Sequence, residues 1–341
     1  GLVVLYPEVV ALGAHPALLA GSIISGGAFG DNLAPVSDTT ICSATSQGVD
    51  VPGVVKSRLK YALTAAAITI IGIIIFGMTS SGSGNPVGVI EYESVALWML
   101  VPVALTIYVA VKSGDIIIAT TVGSVLAGLT AVLTGIMDFI LIGSEVTKKA
   151  LFRVVGEGLD RTVDGVIYTG INSMIQVVLL AILLFGSIAI MRAGHGDVKL
   201  LKSLGKVAKT AKGAELSIAG MTVTLSALMG LNAPAILAIG SSFAKPLSRK
   251  HGISPYRTAN LLDAISCTLV YSLPWTPAII YTISFTRDSA YPLTATQVTP
   301  FVFYAGAMLV VMIGSIFLGI GRNDNMNGRT IADFEEKEKA M

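Results

Sequence analysis

At residues 26–50 an otherwise apolar chain turns abruptly polar. Gly26, Gly27 and Gly30 are followed by Asp31, Asn32, Pro35, Ser37, Asp38, Thr39 and Thr40, then by Cys42, Gln47 and Asp50. The flanks of this run suit a bilayer, where a carboxylate at a helix centre costs at least about 2.5 kcal/mol on insertion scales. The glycines and the proline also break the helix, and broken backbone at membrane depth is tolerated only where protein buries it or it lines a wet cavity. A chain with this run is constrained to a discontinuous helix at a polar cavity.

Composition agrees that the solvent is lipid. Of 341 residues, 53% are hydrophobic and 13% charged, against about 25% charged in ordinary soluble domains. The net charge of +2 is small and the basic residues gather in particular loops, so no nucleic-acid partner is expected. The two cysteines, Cys42 and Cys267, are too few for a disulfide framework or a zinc site and read as small buried residues.

Apolar stretches of about 20 residues read as membrane-crossing helices. Residues 1–12 are the tail of one, and residues 16–29 form a short helix that the break at 30–37 separates from a second short helix starting at Asp38 or Thr39. Residues 50–60, with Lys56, Arg58 and Lys60, read as a basic loop before a span at 61–78. The loop at 79–94 carries Glu91 and Glu93 without Lys or Arg, and spans follow at 95–111 and 116–136 around the turn Lys112-Ser113-Gly114-Asp115. Residues 138–164 hold four basic and five acidic residues. Val146, Ala150, Leu151, Val154 and Val155 there suggest a helix lying on the surface.

A long span at 166–191 leads to a basic segment with Arg192, Lys199, Lys202, Lys206, Lys209 and Lys212, expected as an interfacial helix on the cytoplasmic leaflet. Residues 216–231 and 234–243 form a hairpin broken at Asn232-Ala233-Pro234, followed by a basic loop with Lys245, Arg249, Lys250 and Arg257. The stretch 258–285 is interrupted at 272–277, and the last span, 300–320, precedes a charged tail expected to lack order.

The positive-inside rule orients these spans. With residues 50–60 in the cytoplasm, the 79–94 and 138–164 segments fall outside, the basic loops inside, and the C-terminus in the cytoplasm. The broken helix 16–48 then runs inward and the broken helix 258–285 outward, the pattern that points to an inverted repeat. The expected fold is an all-α polytopic membrane protein, an inverted-repeat secondary transporter with discontinuous helices in the inner (cytoplasmic) membrane. Its first repeat is 1–136, an extracellular surface segment is 137–165, the second repeat is 166–321 and the cytoplasmic tail is 322–341. Equal halves would place about two further spans before Gly1.

The breaks supply oxygen. Asp31, Asn32, Ser37, Asp38, Thr39 and Thr40 add side-chain oxygens to freed backbone carbonyls, the ligands that hard cations prefer. Asp38 could equally cap the amides of Thr40 and Ile41. In the second half Asn260, Asp263, Ser266 and Thr268 precede Pro274, with Asp263 and Ser266 one helical turn apart on one face. Asp263 could instead pair with Arg257. Asn232, Asn260 and Pro274 are candidate cavity-lining residues. His15, His195 and His251 fall near membrane surfaces, outside any catalytic or metal role, and Trp98 and Trp275 read as packing or interfacial anchors.

These residues carry a resemblance. Gly30-Asp31-Asn32-Leu33-Ala34-Pro35-Val36-Ser37-Asp38-Thr39-Thr40, preceded by Gly26-Gly27 and followed by Gly48-Val49-Asp50, resembles the signature of the NhaC-type sodium/proton antiporters. Arg257-Thr258, Leu262-Asp263 and Leu273-Pro274-Trp275 resemble that family's second motif. Ala34 stands where Ser is expected, and the run from Ala264 to Thr268 where Gly-Thr is commoner. The resemblance implies exchange of sodium for protons, with both as transported species, no cofactor and no enzyme activity. The lipid bilayer is the surrounding partner, and a homodimer is left open.

In an antiporter a proton and a sodium ion compete for one set of carboxylates, so alternating access of a single site suffices for coupling. Asp31 is expected to exchange, with sodium held through Asp31 and Asp38 and with Asp263 and the hydroxyls as further ligands. A carrier of small organic acids or amino acids in the same fold is the alternative, held by half-helix amides. No intramembrane Arg is expected near either break, which favours a bare ion. An intramembrane aspartyl protease would need two paired carboxylates, but Ala28 stands where its Gly-x-Gly-Asp pattern needs Gly.

Overall fold

The computed structural model describes residues 6, 9–10, 13–34, 37–79, 98–113, 116–142, 150–156, 161–194, 209–287, 291–324, 331 and 333–334. These are mostly helical and fall into two compact units, residues 1–88 with 187–341, and residues 89–186. The expected loop over 80–94, His195, the interfacial helix over 195–208 and most of the tail lie outside the described residues.

Helix α1 (Pro16–Leu33) starts with proline at its first position, where the missing N–H has no intrahelical partner to lose. His15 Nδ1 accepts from the Leu18 amide at 3.3 Å and caps the helix. Ala34 precedes Pro35 and is extended (φ −68°, ψ 122°), as a following proline demands. The helix therefore continues through Gly30, Asp31 and Asn32 and breaks four residues later than the glycines suggested. Ser37 stands at the start of α2 (Asp38–Gln47), which ends at Gly48 in the left-handed region (φ 70°).

Helix α3 (Val51–Thr79) has 29 residues and a length of about 44 Å at 1.5 Å per residue. It begins well before residue 61, because Asp50 Oδ2 accepts the Gly53 amide at 2.8 Å and caps its first turn. Lys56, Arg58 and Lys60, expected in a loop, are thus helical. Val54, Arg58, Tyr61, Ala62, Ala65 and Thr69 form the buried face, while Ile70, Ile71, Ile74 and Ile75 are exposed. A helix apolar outside as well as inside fits a membrane span.

In the second unit α4 (Leu100–Ser113) packs on α5 (Ile116–Leu133), with Gly123 so close to Thr106 that an added Cβ would meet its side chain. The next segment corrects the all-α expectation. Residues expected as a surface helix form a sheet of β1 (Asp138–Ile142), β2 (Ala150–Val155) and β3 (Thr162–Asp164), with β1 parallel and β3 antiparallel to β2. Phe139, Ile140, Ile142, Phe152, Val154 and Val163 are β-branched or aromatic, and Gly156 and Gly165 end strands with φ of 96° and 115°. Arg153 faces Asp164 across the β2–β3 pair, Nη2 to Oδ2 2.6 Å. Helix α6 (Val166–Ala193) follows.

The first unit resumes with α7 (Ala211–Met229), capped by Thr210 and ended by left-handed Gly230. The hairpin therefore turns at Gly230 and Leu231, and Asn232 lies in the first turn of α8 (Asn232–Ile239). A π-helical turn (Gly240–Ala244) leads directly into α9 (Lys245–Lys250). Helix α10 (Pro255–Ser266) has all 12 residues buried. A non-helical stretch with one 3-10 turn (Leu269–Tyr271) separates it from α11 (Pro277–Thr286). This second break starts at Cys267, five residues earlier than expected. Helix α12 (Ala295–Val298), a 3-10 turn (Thr299–Phe301) and α13 (Phe303–Leu318) follow.

Ile218, Met221 and Leu225 of α7 pack with Ile236 and Ile239 of α8, Leu261, Leu262 and Ile265 of α10, and Met308 and Met312 of α13. This core wraps α10, which is how a polar helix is held in the interior. Among the described helices, Val51–Thr79 alone is long and apolar enough to cross a membrane, and Ala295–Phe301 with Phe303–Leu318, bent by 47°, passes the same test as a pair.

Candidate functional site

One guanidinium joins the first break to the helix that leads into the second. Arg58 is seven residues into α3, on the same face as Val54 and Tyr61, and is fully buried. Its Nη1 donates to the Asn32 carbonyl at 2.6 Å and to Thr40 Oγ1 at 3.0 Å, one on each side of the α1–α2 break. Its Nε donates to Asn260 Oδ1 at 3.1 Å, and its Nη2 lies 2.5 Å from Asp263 Oδ2, both on α10. Asn260 in turn donates to Ser57 Oγ at 2.7 Å. The carbonyl freed at the end of α1 thus receives a charge-assisted donor, the satisfaction that a break away from water requires.

This corrects two expectations. An Arg does lie at the breaks, and the partner of Asp263 is Arg58, because Arg257 is taken by Glu215 at 2.8 Å. Sequence alone placed Arg58 in a loop; the signal for its burial is its spacing with Val54, Tyr61, Ala62, Ala65 and Thr69 along one helix face.

Asp31, on the last turn of α1, is half-buried and has different company. Ser37 Oγ donates to its Oδ1 at 2.6 Å, and Tyr271 Oη donates to its Oδ2 at 2.8 Å. The Cys267 thiol is 3.5 Å from Asp31 Oδ2 and 3.7 Å from Asp263 Oδ1, so it stands between the two carboxylates. Asn232 Nδ2 donates to the Cys267 sulfur at 3.2 Å. Every one of these partners is neutral. Among the described residues no cationic side chain pairs with Asp31, whereas Asp263 holds Arg58.

The other candidates fall in or around this network. Thr39 Oγ1 lies 2.8 Å from Ser37 Oγ, and the hydroxyls of Thr40 and Thr39 face Asp263. Asp38 is exposed, within electrostatic reach of Asp31, and its Oδ1 accepts the Thr39 amide at 2.8 Å rather than those of Thr40 and Ile41. Ser266 and Thr268 donate to the carbonyls of Asp263 (2.8 Å) and Ile265 (2.6 Å). Asn32 is buried beside Tyr304, and Pro274 is exposed. Tyr271 and Tyr304 give no polar signal in the sequence, since each sits in an apolar stretch where packing explains it, and Cys267, between Ser266 and Thr268, reads as a small buried residue.

The constellation has the chemistry of a cation or proton site: one half-buried carboxylate with hydroxyl partners, set between two helix breaks and next to a neutralised second carboxylate. A model of the Na+/H+ antiporter family matches residues 3–78 and 83–320. The chain belongs to the Na+/H+ antiporter family. The matched ranges include Arg58, both breaks and every residue of the network. The chain is also similar to the Na(+)/H(+) antiporter NhaC of Alkalihalophilus pseudofirmus, 23% identical over 334 residues, which are 93% of this chain and 68% of that protein. It is 22% identical to the Na(+)/H(+) antiporter NhaC of Bacillus subtilis (strain 168) over 319 residues, 87% of this chain and 66% of the relative. It is 30% identical to the Malate-2H(+)/Na(+)-lactate antiporter of the same organism over 135 residues, 37% of this chain and 29% of that protein. The antiporter-family chain thus matches between 29% and 68% of the lengths of these relatives. No solved structure matches it significantly.

Proposed function

We propose that the chain exchanges sodium for protons across the cytoplasmic membrane, with Asp31 as the carboxylate that the two cations share in turn. The observation that carries this reading is the unequal treatment of two acids, the buried Asp263 and the half-buried Asp31. Asp263 has a permanent cation in Arg58 at 2.5 Å, while Asp31 has, among the described residues, only hydroxyl and thiol donors. An unpaired carboxylate away from water needs a cation, and either a proton or a hard monovalent ion supplies it. Binding of one excludes the other at the same oxygens, which is the coupling an exchanger requires.

Asp31, Ser37, Thr39 and Asp38 make the exchange site in this reading. Arg58, Asp263, Thr40, Asn260, Ser266 and Thr268 form the rigid wall behind it. The two broken helices belong to two inverted repeats, and movement of one helical group against the other opens the site to each side. The basic loops place the C-terminus in the cytoplasm.

A small carboxylate is disfavoured as cargo. The guanidinium that would clamp it is fully buried, with Nε, Nη1 and Nη2 already directed at Asn260, Asn32, Thr40 and Asp263. The test is proton movement in proteoliposomes on addition of sodium, lithium, or sodium with lactate or malate. Sodium alone should drive proton release in the wild type and not in Asp31→Asn. Absence of exchange in folded wild-type protein would sink the reading, and exchange that needs lactate or malate would favour the carrier.

A further inference from the structure

Among the described residues, four buried polar atoms around the α1 break and Cys267 have no hydrogen-bond partner: Asn32 Oδ1, Asn32 Nδ2, Asn232 Oδ1 and Tyr304 Oη. Their residues are 0%, 8% and 0% exposed. An orphaned buried polar group forfeits the hydrogen bonds it made to water, and native proteins leave few of them. The three side chains come from α1, α8 and α13, yet they share one neighbourhood. Asn232 donates its amide to the Cys267 sulfur at 3.2 Å, and that sulfur lies 3.5 Å from Asp31 Oδ2. The Tyr304 hydroxyl is beside the Asn32 amide and within electrostatic reach of Cys267, Arg58 and Asp263. Asn32 follows Asp31 directly in α1.

We propose that Asn32 Oδ1, Asn232 Oδ1 and Tyr304 Oη, together with an Asp31 carboxylate oxygen, form the coordination shell of a dehydrated sodium ion. The inference rests on Asp31 being the exchanging carboxylate, and it adds which neutral oxygens replace the water stripped from the ion. Three of the orphans are oxygens with free lone pairs, the ligand type that hard cations take. The fourth, Asn32 Nδ2, is a donor and suits a water that the ion retains. A monovalent ion matches the Asp31 carboxylate, since Arg58 already compensates Asp263 and the neighbouring Asp38 is exposed. Without the ion the oxygens are stranded, so the occupied state is the one in which this part of the core is satisfied.

The test is thermal unfolding of the detergent-solubilised chain titrated with sodium chloride against choline chloride. Sodium should raise the wild-type unfolding temperature saturably. Tyr304→Phe removes only the orphaned oxygen, so it should unfold at the same or a higher temperature without sodium and need about tenfold more sodium for half its stabilisation. Asn232→Ala should weaken sodium similarly, and Asn232→Asp, which keeps an oxygen in place, should not. If Tyr304→Phe and Asn232→Ala both keep the wild-type sodium midpoint, the orphaned atoms hold water and the inference fails while the antiport reading stands. If sodium leaves the wild type itself unmoved, the antiport reading fails and this one with it. Should Asn232→Ala not fold, Tyr304→Phe decides alone.

Discussion

Arg58 and Asp263 meet at 2.5 Å with neither side chain exposed to solvent. They stand 205 positions apart in sequence, on α3 and α10, and the same guanidinium also holds the carbonyl of Asn32 and the hydroxyl of Thr40. A pair so placed does two things. It cancels the charge of Asp263, while Asp31 has only neutral partners among the described residues, and it pins the first break to the helix that leads into the second.

Breaking that pair should cost far more than its own attraction, because it strands a buried charge. Asp263→Asn and Arg58→Leu are each expected to lower stability by about 3–5 kcal/mol, measured as a fall in unfolding temperature in detergent. Replacing both with apolar residues of similar volume should recover much of this loss, yet the doubly substituted protein should remain inactive in exchange, since Asn32 O has lost its donor. Single variants with wild-type unfolding temperatures would contradict the burial of the pair.

The broken helices were legible because their causes are local. Gly, Pro and hydroxyl residues in an apolar run disfavour continuous helix wherever they occur, so the sequence marks both 16–48 and 258–285. Boundaries were less so: α1 survives Gly30 because helix tolerates a single glycine, and only the residue before Pro35 is forced out. The sheet over 138–164 is hidden in the sequence because Ala150, Leu151, Val154 and Val155 satisfy a helical stripe as well as a strand. Arg58, Cys267, Tyr271 and Tyr304 escaped because membership of the site depends on which way α3, α13 and the second break face, a tertiary fact. A lone Arg near a predicted loop, or a Tyr in an apolar helix, carries the same local signature inside a site and outside one.

Tyr271 offers a sharper test of the Asp31 geometry than Asp31 itself, since its hydroxyl is the only atom removed in Tyr271→Phe. A hydrogen bond to a charged group contributes about 1.5–3 kcal/mol, so half-saturation for sodium should rise about tenfold or more. Global stability should change little, because the ring's packing is retained. An unchanged sodium dependence would remove Tyr271 from the site.

Close approach of α1 to the Thr299–Phe301 turn depends on one glycine. A Cβ on Gly21 would lie 2.5 Å from the Phe301 carbonyl carbon and oxygen, and backbone has no rotamer by which to withdraw. Gly21→Ala is therefore expected to destabilise by about 1–3 kcal/mol. Gly220 in α7 has open space around it, and Gly220→Ala should stabilise by about 0.5–1 kcal/mol through helix propensity. Unfolding temperatures of the two variants moving in the same direction would be inconsistent with this packing.

Glu215 anchors a second buried ionic cluster, and the order of effects there distinguishes buried from exposed charge. Its Oε1 pairs with Arg257 and its Oε2 with Arg322, each at 2.8 Å, with Glu215 and Arg257 both inaccessible to solvent. Arg322 belongs to the segment after α13, which Ser254 also holds through the Arg322 and Asp324 carbonyls at 2.7 and 2.6 Å. Lys60 pairs with Asp324 at 2.7 Å but is 44% exposed. Glu215→Gln leaves Arg257 buried without its counter-ion, a loss of about 3–5 kcal/mol. Lys60→Ala removes a screened pair, for about 0–1 kcal/mol. Arg322→Gln should fall between them, since Glu215 keeps Arg257. Hydrogen exchange at residues 319–324 should quicken most in Glu215→Gln and least in Lys60→Ala. If Lys60→Ala loosened that segment as much as Glu215→Gln, the surface pair rather than the buried carboxylate would be what holds it.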